Sequence, residues 1–159
     1  MNFNGNCIVM MDDESLVKCL SKFLNEKCDD YGEVKRCYEE WLMKKKEQLP
    51  DAVNERIINL VESYMSQIAS DMMFAYSLGF KANLEHFHYP MHPTMINAEP
   101  EVFLKENVMR TMPKRIEAQI KIDKIHNELK NENIDYEELY EYFAYMETFA
   151  GKVAHYQGF

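Results

Sequence analysis

His86, His88 and His92 form the densest set of metal-ligand residue types in the chain, three imidazoles within seven residues, with Glu85 and Tyr89 between them. Neutral imidazole is the commonest protein ligand for zinc, copper, iron and nickel, which makes this cluster the candidate metal site. On an unbroken helix His88 and His92 share a face while His86 points elsewhere. Pro90 interrupts such a helix, and neither an H-E-x-x-H motif nor a cysteine pair lies nearby. The competing reading is a polar loop packed against aromatic residues. No cofactor is expected on that reading, with a divalent transition metal as the alternative.

Asp123 and His126 are a second pairing, a carboxylate and an imidazole three apart on one helical face. Di-iron carboxylate bundles take a Glu-x-x-His from each of two helices together with further glutamates. A single copy in Asp form does not make that centre, and the pair reads as exposed on a charged helix. Asp71 is the third candidate, because it sits in the most apolar part of the chain between Ser70 and Met72. A carboxylate buried there needs a partner or an upward-shifted pKa. Gln67 and Ser63 come one and two turns earlier on the same side, so a polar strip is expected along that helix. The chain has no G-x-S-x-G, phosphate loop or dinucleotide fingerprint. No catalytic residue is assigned, and the balance leans against an enzyme.

Tyr136, Tyr140, Tyr142 and Tyr145 crowd the last predicted helix. Tyrosine offers apolar ring area while its hydroxyl stays wet, a combination that suits ligand or protein interfaces. Twelve methionines add soft, adaptable contact groups. Together they point to a protein partner or to self-association.

These residues must be positioned by helices. The apolar residues from Ile57 through Leu60, Val61, Tyr64, Met65, Ile68 and Met72 recur every three or four positions, and by Phe74 and Tyr76 they surround the cylinder. A helix apolar on all sides is buried on all sides. The segment from Pro50 is therefore the central helix, continuing past Gly79 towards Phe87, with a bend at Gly79 as the alternative. Before it, Leu16, Cys19, Leu20, Phe23 and Leu24 give one amphipathic stripe, and Val34, Cys37, Tyr38, Trp41 and Leu42 a second, opened by a capping box at Asp30 and Glu33. After it, Pro100 opens a helix that Pro113 divides into two meeting at a kink. Its apolar residues fall on two faces, Ala118 with Ile122, Ile125 and Leu129, and Ile116 with Ile120, which suggests burial between neighbours. Asp135, Glu138, Ile134 and Leu139 spell a capping box and hydrophobic staple for the last helix, in which Leu139, Phe143, Met146, Ala150 and Val153 form a packing seam. The fold expected is an all-α single-domain bundle of about five to six helices packed around a long central helix, with residues 1–11 as an N-terminal tail.

The chain of 159 residues is long enough to bury a core without staples. Its net charge of −9 argues against direct nucleic-acid or anionic-membrane binding, both of which need a positive footprint. No run reaches the length of a membrane span, Met1 to Gly5 lacks a secretory pattern, and the four cysteines contain no C-x-x-C, which reads as a reduced cytoplasmic protein. Abundant Lys, Asn, Ile, Tyr and Met fit an AT-rich bacterial or phage genome. The leading functional expectation is a small cytoplasmic helical adaptor or regulator that binds another protein, as a monomer or homodimer. Its rivals are an acidic inhibitor occupying the groove of a nucleic-acid-binding enzyme, and a metal- or ligand-binding bundle built on the three histidines.

Overall fold

The computed structural model describes residues 13–87 and 100–158, with the backbone alone given for Asp13, 80–87 and 100–111. Five helices and no strand are present among the described residues: α1 (Asp13–Lys27), α2 (Asp29–Gln48), α3 (Asp51–Phe87), α4 (Pro100–Asn131) and α5 (Glu137–Gly158). Residues 1–11, expected as a tail, and the histidine-bearing stretch 88–99 lie outside the described residues.

The central helix is α3. Its 37 residues extend about 55 Å at 1.5 Å per residue, and it touches all four other helices, α4 and α5 most extensively. Ile57, Leu60, Tyr64, Ile68, Met72 and Tyr76 run along it at intervals of three and four, all buried. They meet Ile122, Ile125 and Leu129 of α4 and Leu139, Phe143 and Met146 of α5 in one cluster, which α1 joins through Leu20 and Leu24 and α2 through Tyr31, Tyr38 and Trp41. Each such side chain removed from water stabilises the fold by about 1.5–3 kcal/mol. That scale explains why α3 runs through Gly79 without ending: an interior glycine costs only about 0.5–1 kcal/mol relative to alanine.

The helix ends follow local chemistry, with some departures from the sequence reading. The Pro50 carbonyl accepts the N–H groups of Val53 and Asn54, both at 3.0 Å, and the Asn54 side-chain amide donates back to the Leu49 carbonyl at 3.0 Å and the Lys46 carbonyl at 3.2 Å. One asparagine thus ties the end of α2 to the start of α3. Only Cys28 separates α1 from α2. It occupies the N-cap position with no side-chain cap bond, so the expected capping box at Asp30 and Glu33 is not what starts α2. Asp29 and Asp30 instead lie in the first turn, where negative charge suits the helix dipole.

Pro113 lies inside α4, which is assigned as one helix rather than two, and this sets the number of helices at five. At the other end of α4 the Ile134 N–H reaches the Leu129 carbonyl at 2.9 Å and the Asn133 N–H reaches the Lys130 carbonyl at 3.1 Å. This is a Schellman cap, and Asn133 supplies its left-handed residue at φ 57°. Ile134 then packs against the core that holds Leu129 and Leu139. Asp135 accepts the Glu137 N–H at 3.1 Å as expected of a cap, whereas the Glu138 carboxylate takes the Tyr142 hydroxyl at 2.6 Å.

The second apolar face of α4 is not covered. Ile116 is 52% exposed, Ile120 63% and Met112 41%, because α3 and α5 between them occupy only the Ala118–Ile122–Ile125 side of the helix. Among the described residues no helix is long and apolar enough to cross a membrane. Cys19, Cys28 and Cys37 are free and half-buried, and Cys28 is partly packed on the core.

Candidate functional site

The polar strip expected along α3 exists, and α4 answers it rung by rung. Gln67 and Ser63 are buried, and Ser63 discharges its hydroxyl on the Asn59 carbonyl at 2.8 Å. Facing the strip, Tyr64 bonds His126, the Gln67 side-chain amide donates to Gln119 at 2.6 Å, and Arg115 Nε donates to Asp71 at 2.5 Å. Residue numbers rise on α3 as they fall on α4, so three polar rungs join two antiparallel helices. The Gln119 amide continues the chain to Asp123 at 2.8 Å. Helix α5 closes the third side with Tyr140 and Glu147, joined by Tyr136 just before its start.

Apart from Asn59, Ser63 and Asp71, these residues line an open groove of about 510 Å³ between α3, α4 and α5. Its floor is ordered by ring contacts. His126 stacks on Tyr136 with centroids 4.5 Å apart and meets Tyr140 edge-on at 6.0 Å, while Tyr64 stacks on Phe143 at 4.9 Å. Burial holds the His126 imidazole below its usual pKa, partly offset by the carboxylate of Asp123. It is therefore neutral at pH 7, with one ring nitrogen for the Tyr64 hydroxyl. Burial also pushes the Tyr64 phenol up, so it keeps its proton.

At the far end of the groove, two carboxyl groups face one guanidinium. Glu147 is within hydrogen-bond reach of Asp71, and that bond raises its pKa from an ordinary 4.5 to about 7. Its half-burial and the charge of Asp71 add to the rise, and Arg115 opposes it. Two like charges at close range cannot both be held by one cation, so a shared proton takes up the difference.

The sequence-selected residues distribute unequally over this site. Asp71 is in it, half-buried and paired. His126, expected on an exposed face with Asp123, instead turns toward α3 and α5, because four residues separate it from the buried Ile122. The four tyrosines do not share a face. Tyr136 and Tyr140 line the groove, Tyr142 lies on the α2 side bonded to Glu138, and Tyr145 is 58% exposed. His88 and His92 lie outside the described residues, and of His86 only its place near the end of α3 is given. Among the described residues no group of three or more His, Cys, Asp or Glu side chains is arranged to hold a metal ion. Arg115, Gln119 and Glu147 were not selected from the sequence. The spacing of Arg115, Gln119, Asp123 and His126 is helical, and matching that stripe against Tyr64, Gln67 and Asp71 gives the only sequence signal for the site.

The groove has an apolar rim. Phe74, 37% exposed, follows Asp71 by three residues on α3, and Met112 precedes Arg115 by three on α4. Ile116 and Ile120 follow the groove-lining Arg115 and Gln119 on α4, and Tyr140 of the lining is 52% exposed on α5. No protein-family model, curated protein or solved structure matches this chain.

Proposed function

We propose that the protein is a small helical protein-binding adaptor or regulator of the cytoplasm, and that the groove between α3, α4 and α5 is its docking surface. One observation carries this reading: exposed apolar side chains, Met112, Ile116 and Ile120, recur every four residues along α4 next to Arg115 and Gln119, which line a groove whose floor is hydrogen-bonded and shaped. Contiguous exposed apolar surface rimmed by polar groups is a mark of an interaction site. The free energy of such a contact comes from a few large apolar and aromatic anchors, which Ile116, Ile120 and Tyr140 would supply here.

The test is to isolate the bound partner from the native cell, prepare it pure, and measure its Kd for three forms of the chain. Replacing exposed side chains such as these shifts stability by no more than about 0.5 kcal/mol, so a loss of affinity reports contact. The double variant Ile116→Asp and Ile120→Asp is expected to bind at least tenfold more weakly. Met43→Asp, 72% exposed on α2, is expected to leave Kd unchanged. Equal loss in both variants, or none in the double variant, overturns the reading. Salt separates it from an acidic inhibitor of a nucleic-acid-binding enzyme: an apolar contact persists at high salt, whereas a charge mimic loses its partner steeply.

A further inference from the structure

We propose that the occupant of this groove is an amphipathic segment of a partner protein, whose apolar residues cover Met112, Ile116 and Ile120 and whose basic side chain enters against Asp71 and Glu147. The inference rests on the groove being the docking surface, and adds the chemistry of what docks there.

Charge complementarity selects the occupant. Within the groove the one basic side chain, Arg115, stands among three acidic ones, Asp123, Glu137 and Glu147, and Arg115 is already committed to Asp71 behind it. Tyr140 strengthens the same preference: it lines the groove and is 52% exposed, and electron-rich ring faces attract ammonium and guanidinium groups. An acidic segment would bring like charge against the three carboxyl groups of the lining, which costs binding energy and disfavours it. An entirely polar basic segment would leave Ile116 and Ile120 in water. A segment with both characters fits both surfaces.

The carboxyl pair also makes docking proton-linked. With the groove empty, the proton shared by Glu147 and Asp71 offsets the excess negative charge. An arriving ammonium or guanidinium supplies that positive charge instead, and the proton leaves to solvent. The groups facing Glu147 are Asp71 from α3 and Arg115 from α4, with Asp123 and His126 further along α4 and Glu137 on its own helix. Burial holds His126 below its usual pKa, while Glu147 is raised to about 7.

The probe is an acetylated and amidated eighteen-residue helical peptide of leucine and lysine at amphipathic spacing, with a second peptide bearing glutamine in place of lysine. Binding to the full chain is measured by fluorescence anisotropy at about 0.15 M salt. A carboxyl that titrates at about 7 goes from about one-tenth ionised at pH 6 to about nine-tenths at pH 8, so affinity for the lysine peptide is expected to rise about tenfold. Glu147→Gln should flatten this pH profile, and the glutamine peptide should bind at least tenfold more weakly. Glu39→Gln with Glu40→Gln, two exposed acids on α2, controls for general attraction and should change Kd less than twofold. Circular dichroism melts confirm that each variant is folded. The proposal is overturned if the α2 variant weakens binding as much as Glu147→Gln does, if the glutamine peptide binds equally, or if the pH profile survives in Glu147→Gln. A native partner that docks in the groove through an acidic segment would sink the proposed chemistry while leaving the docking surface standing.

Discussion

Replacing Glu147 by Gln should make the protein more stable at pH 8 and leave it nearly unchanged at pH 5. The side-chain amide keeps the shape of the protonated carboxyl and donates to Asp71 at every pH. Folding raises the pKa of Glu147 from 4.5 to about 7, so the folded chain holds this proton more tightly than the unfolded chain does. The resulting stabilisation is full below about pH 4.5 and is lost as pH rises through about 7. At about 1.4 kcal/mol per pH unit the ceiling on that loss is about 3.4 kcal/mol. Glu147 is only half-buried, and solvent screening brings the expected figure to about 1–2 kcal/mol. For a chain of this size that is about 2–8 °C in Tm. The assay is urea denaturation of both proteins at half-unit steps from pH 5 to 8.5, taking the difference between them at each pH. His126 titrates in the same range with the opposite sign, since its lowered pKa means stability lost as pH falls below about 6.5, but it is common to both proteins and cancels. A stability difference that stays flat across the range refutes the shared proton, and with it the idea that two carboxyl groups compete for Arg115.

Other outcomes follow from the same structure. Leu60 of α3 is fully buried, and Leu60→Ala should cost about 2–5 kcal/mol by denaturant titration, with the spread set by how far α4 and α5 collapse into the gap. The His126 ring should titrate below 6.5 by NMR, and Asp123→Asn should lower its midpoint further, because that carboxylate is what holds the imidazole up. Pro113 lies inside α4, where it removes one backbone donor and crowds the preceding turn. Pro113→Ala should therefore raise stability by about 1–3 kcal/mol, and a loss instead would show that the proline sets a bend the packing needs.

Much of the architecture was legible because burial imposes a period. The run from Ile57 to Tyr76 carries its helical spacing openly, and its apolar surround correctly identifies a helix touched by every other. Asp71, Gln67 and Ser63 stood out as polar residues inside that pattern. What opposed them did not, because a helix sequence carries no record of which residue on another helix it meets. Arg115 and Gln119 look alike on paper with the solvent-facing Lys121 and Lys124, and only the approach of α3 and α5 separates the two sides of α4. Ile116 and Ile120 misled for the same reason: apolar spacing reveals a face, not whether anything covers it. At Pro113 the local rule for ending a helix yielded to continuity of the chain around it, and at Cys28 the turn between α1 and α2 formed without the side-chain cap that Asp30 and Glu33 advertise.

The central claim is that the groove between α3, α4 and α5 is where a partner docks, and hydrogen exchange on the purified complex addresses it most directly. Binding there should slow amide exchange within residues 112–126 of α4 and 137–147 of α5 while leaving 29–48 of α2 unchanged. Slowed exchange confined to α1 and α2, with the groove helices exchanging as they do in the free protein, would contradict it.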